Sequence, residues 1–348
     1  MHFYTRQHQY YCGIDLHARS MYVCIVDQAG TVVFHRNLPT DRQQLIEVIS
    51  PYREDIVVGV ECIFTWYWIA DVCAQQAIPF VLGHALYMKA IHGGKTKNDK
   101  IDSQKIAALL RGGMLPLAYA YPQAMRSTRD LLRRRMYLMH HQSELLAHIQ
   151  NTNSQYNLAA FEKRINYRGN RVELAEHFQE PMVRKSIEAD IEVLDTLHHV
   201  LLKVEQAVLE QAREHDPVAL QLIRTVPGIG KVLSLVILYE TQDINRFSTA
   251  GRFISYARLV KCARESSGKK SGSRNSKIGN VHLKWAFSEA AVLFLRNNEP
   301  AQRYHNKLVA KYGKAKALSI IAQKLGRTLY FMLKHKEAFD PVRFYQGG

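Results

Sequence analysis

The hydrophobic period of this chain changes once, near Tyr121-Pro122, and that change constrains its fold more than any other feature. Before it, apolar residues alternate in steps of two or form compact runs between turn signals. YYCGIDLH and SMYVCIVD are followed by a turn at Gln28-Ala29-Gly30 and then by TVVFHRNL, so residues 10–38 read as three strands joined in hairpins. IVVGVE (56–61) and IPFVLG (78–83) are apolar runs of the kind that fill a buried strand. Residues 41–50, with Leu45, Val48 and Ile49 as a stripe, and TWYWIADVCAQQA (65–77) read as helices. IDSQKIAALLR (101–111) is an amphipathic helix that stops at Gly112-Gly113. Hairpins first, then strands alternating with helices, predict an α/β domain with a mixed sheet over residues 1–122.

Beyond residue 122 the period becomes helical. RSTRDLLRRRMYLMHHQSELLAHIQNTNSQYNLAAF is one long pattern, and KSIEADIEVLDTLHHVLLKVEQAVLEQARE (185–214) is another. In the second, Ile187, Ile191, Leu194, Leu197, Leu201, Val204 and Val208 recur at steps of three and four. Two such helices around a polar stretch fit an antiparallel hairpin or an oligomerising coiled coil, with a simple helical bundle as the plainer reading. They define a second domain over 123–215. A third, mostly helical, spans 216–348. It opens with LIRTVPGIGKVLSLVILYE, turns strongly basic over 258–284, and ends in helices that include KAKALSIIAQKLGRTLYFML. The basic run at 129–135 fits either a nucleic-acid face or a solvated one.

Lys and Arg number 47 against 31 Asp and Glu, a formal charge of +16. Such a surplus favours a polyanionic partner, because each phosphate contact releases counterions. A protein that binds membrane surfaces would share it. However, MHFYTRQHQYY is no signal peptide, and no run reaches the roughly eighteen apolar residues of a membrane span. The expectation is a cytoplasmic protein with no membrane partner. The five cysteines, Cys12, Cys24, Cys62, Cys73 and Cys262, include no CxxC pair and read as buried free thiols of a reducing compartment. The 16 histidines form no zinc-ligand pattern.

Four acidic residues carry the chemistry. Asp15 lies in an apolar strand frame, where a carboxylate is costly unless it is paired or holds a metal. Glu61 closes another apolar strand. Asp99 and Asp102, three apart at the mouth of a helix, share one face of its first turn. An oxygen-only set of this kind suits Mg2+, with Mn2+ able to replace it; paired ions roughly 4 Å apart serve many phosphoryl-transfer sites. Asp at a helix start is also a common cap, so Asp99 and Asp102 each have a purely structural alternative. Actin-like kinases open with similar strands, but their glycine-rich phosphate loops have no counterpart in the helical stretch 130–215.

Two C-terminal segments add to this. VPGIG places Gly228 and Gly230 before Lys231, as in a helix-hairpin-helix turn whose backbone N–H groups approach phosphates; a tight helix–helix turn is an equal alternative. LVKCARESSGKKSGSRNSKIGNVHLKWAF (259–287) offers Lys269, Lys270, Arg274 and Lys277 to a nucleic-acid backbone. Ser266 and Ser267 lie within it. A serine hydroxyl attacks a phosphodiester only where cations or metal stabilise the developing charge, and a serine in a basic loop is more often a phosphate contact.

Together these stretches resemble the insertion-sequence 110 family of transposases, the DEDD-type serine recombinases guided by a bridge RNA. GIDLH, VGVE and KTKNDKIDSQKIA match the family's acidic motif in order and spacing. VPGIGKVLSLVILYE, RFSTAGRFISYARLV, SSGKK and SKIGNVHLKWAFSEAA match its C-terminal transposase domain, and RYHNKLVAKYGKAKALSIIAQKL its end. The resemblance covers essentially the whole chain. It implies a RuvC-like, ribonuclease-H-like catalytic domain holding Mg2+ on Asp15, Glu61, Asp99 and Asp102, a coiled-coil middle, and a C-terminal domain that supplies a serine nucleophile. The family serine precedes a glycine, which points to Ser267, with Ser266 as its neighbouring alternative. The resemblance further implies a covalent phosphoserine intermediate and donor and target DNA chosen by a noncoding bridge RNA. It also implies a homo-oligomer, dimeric and then tetrameric in the synaptic complex, in the bacterial cytoplasm or nucleoid. The residues alone leave open a RuvC-like hydrolytic nuclease or junction resolvase, or a non-catalytic nucleic-acid-binding protein.

Overall fold

The computed structural model describes residues 2–91, 98–260, 265–266, 269–270 and 278–346. In chain order the first unit, Met1–Ala124, runs β1 (Tyr10–Leu16), β2 (Ser20–Asp27), β3 (Val32–Pro39), α1 (Arg42–Ile49), β4 (Ile56–Glu61), α2 (Tyr67–Gln75), β5 (Phe80–Gly83), α3 (Ala85–Ile91) and α4 (Asp99–Arg111). The first three strands form the expected antiparallel meander. Gly30 turns the chain between β2 and β3 at φ 91°, which a glycine adopts without steric cost. Asp27 Oδ1 holds the turn by accepting from Thr31 N at 2.8 Å. β4 pairs parallel with β1, and β5 parallel with β4, giving a mixed sheet of order β3-β2-β1-β4-β5. β5 starts two residues later than the apolar run 78–83 suggests, because Pro79 has no N–H to give to a ladder. α3, which the sequence reading leaves unassigned, follows β5.

Period-two alternation gives the sheet two buried faces. Cys12, Ile14 and Leu16 of β1 with Val58 and Val60 of β4 pack with Leu45 and Ile49 of α1 and Ile69 and Val72 of α2. Tyr11 and Val57 lie on the opposite face, under Ile106, Ala107, Leu109 and Leu110 of α4. Cys12, Cys24 and Cys73 are buried free thiols, as the composition suggests; burial pushes Cys24 up to about 11 and Cys73 up to about 12. Cys62 departs from that expectation. It follows the last residue of β4 and is exposed. Cys262 lies outside the described residues.

The described residues of the second unit, Met125–Gly348, are helical or in loops apart from one short strand pair. α5 (Gln123–Gln155) and α6 (Pro181–His215) run antiparallel, linked by Arg135–Glu205 at 2.7 Å and His148–Asp190 at 2.6 Å. At one end of the pair, Ile149, Ile187 and Leu194 enclose Ile165, Leu174 and Phe178 from the connecting stretch. At the other end Leu132, Val208 and Ala212 join the main core. That core surrounds α8 (Lys231–Thr241), which follows α7 (Pro217–Arg224) and is buried from Leu233 to its last residue. A helix apolar on all sides belongs inside a bundle. α9 (Ala250–Tyr256), α10 (Val281–Leu293), α11 (Glu299–Tyr312), α12 (Lys314–His335) and α13 (Pro341–Gln346) complete the unit. Between α9 and α10, β6 (Glu265–Ser266) pairs antiparallel with β7 (Lys269–Lys270). Among the described residues no helix is long and apolar enough to cross a membrane.

Candidate active site

The parity that sends Tyr11 and Val57 toward α4 also sends Gly13 and Asp15 of β1, and Gly59 and Glu61 of β4, to that face. Gly13 and Gly59 are partners across the parallel ladder. A methyl group on Gly13 would overlap the backbone nitrogen of Ala107 and the carbonyl oxygen of Ser103; one on Gly59 would strike the side chain of Leu110. The two bare backbones therefore let α4 lie directly on the strands. The first turn of α4 is delivered beside the end of β1, where Asp15 sits. Asn98 caps this helix, its Oδ1 accepting from Lys100 N at 2.9 Å. Neither Asp99 nor Asp102 is the cap, though both lie in the first turn of the helix. Asp102 Oδ1 accepts from Lys105 Nζ at 3.1 Å.

Asp15 is more enclosed than Asp99 or Asp102, with 14% of its side chain exposed against 58% and 25%. Burial pushes its pKa up; His17 opposes this, and the negative charges of Asp99, Asp102 and Glu61 add to it. The electrostatic neighbours of Asp15 thus include all three other acids singled out in the sequence. His17 Nε2 stands 3.6 Å from Asp15 Oδ2 and 3.4 Å from Asp99 Oδ2. One ligand atom from each of Asp15, His17 and Asp99 lies within 4.8 Å of the others. Mutually repelling carboxylates around a half-buried one are stabilised by a divalent cation, so the donor set fits a hard metal ion.

The sequence reading missed His17 and His35. His17 was legible in GIDLH, since a residue two beyond Asp15 in a strand direction returns to the same face. His35 was not legible. It reaches across from β3, and its Nε2 donates to Lys100 O at 2.9 Å and lies 3.2 Å from Ser103 Oγ, tying the first turn of α4 to the sheet.

In the second unit, Gly228 has φ 82°, and a methyl there would meet the backbone of Leu293 and Phe294. VPGIG is a close-packed turn between α7 and α8 with Gly230 open to its surroundings. Lys231 Nζ lies 3.4 Å from Glu205 Oε2. The basic run at 129–135 faces neither solvent nor a ligand as a block. Arg129 and Arg133 bind Glu240 at 2.9 and 2.7 Å, and Arg135 binds Glu205. Acids on α6 and α8, distant in sequence, decide that outcome. The ends of the serine loop are held together: Arg258 Nε donates to Ile278 O at 3.0 Å, and Asn280 N to Tyr256 O at 2.6 Å. Ser266, Lys269 and Lys270 lie in β6 and β7, while Ser267, Arg274 and Lys277 lie outside the described residues.

A mixed five-stranded sheet with acids at the ends of two adjacent parallel strands and on a covering helix is consistent with a RuvC-like DEDD domain, a class that handles nucleic acid with divalent metal. Residues 12–157 match a family model described as a transposase of the DEDD, IS110 type. Residues 220–306 match the model of the Transposase IS116/IS110/IS902 family. The chain belongs to this family of insertion-sequence transposases, which move DNA segments. It is 22% identical over 343 residues to the transposase for insertion sequence element IS1111A of Coxiella burnetii, covering 94% of this chain and 90% of that protein. It is 23% identical over 411 residues to the uncharacterized 44.8 kDa protein of insertion element IS116 of Streptomyces clavuligerus, covering 97% and 98% respectively.

Proposed function

We propose that this transposase cuts and rejoins DNA through a serine nucleophile, Ser267 or its neighbour Ser266, at a site it shares with Asp15, Glu61, Asp99 and Asp102. The observation that supports the reading is the seating of α4 on Gly13, with Asp99 beside Asp15 and His17, and with the charges of Asp102 and Glu61 acting on Asp15. Those residues would hold Mg2+ or Mn2+, and the bound ion would supply charge stabilisation at the reacting phosphate. The serine hydroxyl attacks a DNA phosphorus and forms an Oγ–P ester. The broken P–O bond leaves a deoxyribose hydroxyl on the cut strand, and the serine proton ends on that departing oxygen. Attack by the hydroxyl of the exchanged strand reverses the step, restores the serine and completes religation without net hydrolysis.

The division of labour follows the three segments 1–122, 123–215 and 216–348. The first holds the acidic set. The helices of the second join protomers as a coiled coil into dimers and, in the synaptic complex, tetramers. The third brings the serine from another protomer, with Gly228, Gly230, Lys231, Lys269, Lys270, Arg274 and Lys277 gripping phosphates. A bridge RNA selects donor and target DNA by base pairing, and the +16 charge supports holding both nucleic acids.

The test is a denaturing gel of the protein incubated with labelled DNA, Mg2+ and the RNA that co-purifies with it. A protein–DNA adduct that disappears in Ser267→Ala or in Ser266→Ala supports the reading and assigns the nucleophile. Cleavage that survives both substitutions, with no adduct in the unsubstituted protein, would replace it with a water-using nuclease. Loss of neither binding nor function in Asp15→Asn would leave only a binding protein. Sequencing of the co-purified RNA, matched against the flanks of the gene, tests guidance.

A further inference from the structure

In the second unit, α12, α13 and the segment between them line a half-open cavity of about 720 Å³. That volume lies within the range that takes a small organic ligand whole. One wall is a single stripe of α12, at steps of three and four: Lys324, Arg327, Thr328, Phe331 and His335. The facing wall includes Glu337, Asp340, Arg343 and Phe344.

The acids of this cavity are already engaged. Glu337 holds Arg343 at 3.1 Å, and Asp340 Oδ1 accepts from the backbone nitrogens of Val342 and Arg343 at the start of α13. Two cations are left over. Arg327 is exposed and makes no ion pair among the described residues. Lys324 Nζ is buried with no hydrogen-bond acceptor, set 4.8 Å from the Tyr304 ring and 5.1 Å from the Phe344 ring. A buried ammonium without an acceptor is a net cost to the fold that a nearby anion offsets. Phe331, 45% exposed, turns a large aromatic surface to solvent at the same place. Free cations of one sign beside an exposed ring make a phosphate-and-base site: the guanidinium takes a phosphate, and the ring takes the planar face of a nucleobase.

We propose that this cavity holds one unstacked nucleotide of a single-stranded nucleic-acid segment, its phosphate on Arg327 and its base against Phe331. Base pairs are closed to such a pocket, since a duplex presents phosphates but no free base face. The site therefore separates single strands, loops and bulges from duplex. The inference rests on the reading of the chain as an enzyme of DNA and RNA, and it adds a subsite distant in sequence from the acidic set.

The experiment measures binding of the full-length protein to labelled 12-nucleotide DNA and RNA single strands, to the matching duplexes, and to a nucleoside monophosphate. Phe331→Ala and Arg327→Ala are the variants, both at exposed positions of α12; circular dichroism melting checks that each folds. Loss of one base stack weakens single-strand binding by about 5- to 100-fold. Duplex binding stays within about twofold for Phe331→Ala, and Arg327→Ala weakens single strands more than duplex. A strand carrying 5-iodouracil forms a photo-crosslink to the peptide containing Phe331. The DNA and RNA arms say which strand occupies the site. Equal losses for single strand and duplex, no loss for either, or mononucleotide binding as tight as the strand would overturn the proposal. Failure of the unsubstituted protein to bind any nucleic acid would sink the parent reading as well, and is thereby told apart from failure of this subsite alone.

Discussion

Arg129 on α5 and Glu240 on α8 stand 111 residues apart in the chain and share two hydrogen bonds, at 3.1 and 2.9 Å. Arg133 adds bonds of 2.7 and 3.0 Å to the same carboxylate, and the Asn280 amide another of 2.7 Å. Asn280 also caps α10, with its Oδ1 accepting from His282 N and Leu283 N. One buried carboxylate thus joins α5, α8 and the C-terminal root of the serine loop. Burial alone would raise the pKa of Glu240. The hydrogen bond from Arg133 and the charges of Arg129 and Arg133, with the Asn280 amide, overcome that and bring it from 4.5 to about 2.

A carboxylate with a depressed folded-state pKa gives stability that is present above its unfolded value and lost as protons bind. The contribution of Glu240, about 3 kcal/mol, is accordingly complete above pH 4.5 and disappears as pH falls toward about 2. Glu240→Gln removes the buried carboxylate that Arg129 and Arg133 share and destabilises the second unit by about 3–5 kcal/mol at neutral pH. Urea unfolding across pH checks both: the gap between the original and Glu240→Gln proteins narrows as the solution is acidified. A constant gap would remove Glu240 from this role.

Gly13→Ala and Gly59→Ala separate backbone from side-chain approach. The added methyl on Gly13 meets the backbone of Ala107 and Ser103, which cannot rotate away, and lifts the first turn of α4 from Asp15. Destabilisation of about 3 kcal/mol and near-complete loss of metal-dependent DNA cleavage are expected. At Gly59 the obstacle is the end of the Leu110 side chain, which can change rotamer, so a loss nearer 1 kcal/mol and retained cleavage are expected. Thermal melting and a cleavage assay on the two variants give the comparison.

Asp15→Asn removes a half-buried charge that three other acids repel. Without divalent metal the variant is at least as stable as the original protein, by up to about 1 kcal/mol. With metal, the original protein gains melting temperature and the variant does not, because binding to the native state alone stabilises it. The variant also loses cleavage. Calorimetric scans with and without Mg2+ measure the two differences; equal gains from Mg2+ in both proteins would exclude Asp15 as a ligand.

Replacement of Lys269, Lys270, Arg274 and Lys277 together by alanine tests the basic loop. If all four neutralise phosphates, the slope of log affinity against log salt becomes shallower by about 3.6 for duplex DNA, at roughly 0.9 for each contact. Binding titrations between low and moderate salt report it. An unchanged slope would place the phosphate contacts elsewhere.

The strands of the first unit, α4 with its stop at Gly112-Gly113, and the two long helices were legible from period alone, because burial parity and helical stripe are local properties of the chain. Asp15, Glu61, Asp99 and Asp102 stood out one by one, as acids in apolar frames or at a helix start; that Asp15 feels the other three did not. The approach of Asp99 to Asp15 was not legible either. It depends on which strand neighbours β1 and on how closely α4 approaches. GID and GVE carry the same signal, a glycine two residues before an acid, but only the parallel register that pairs Gly13 with Gly59 turns it into one groove under one helix. The arginines at 129–135 teach the reverse lesson. By sequence they fitted a nucleic-acid face or a solvated one; Glu205 and Glu240, brought from α6 and α8, make Arg129, Arg133 and Arg135 ties between helices, while Arg134 stays exposed. What the sequence by itself determined is the pattern each segment must bury and the chemistry it carries. What only the tertiary structure decided is which charges meet, because a Coulomb partner is chosen by distance in space and not by separation along the chain.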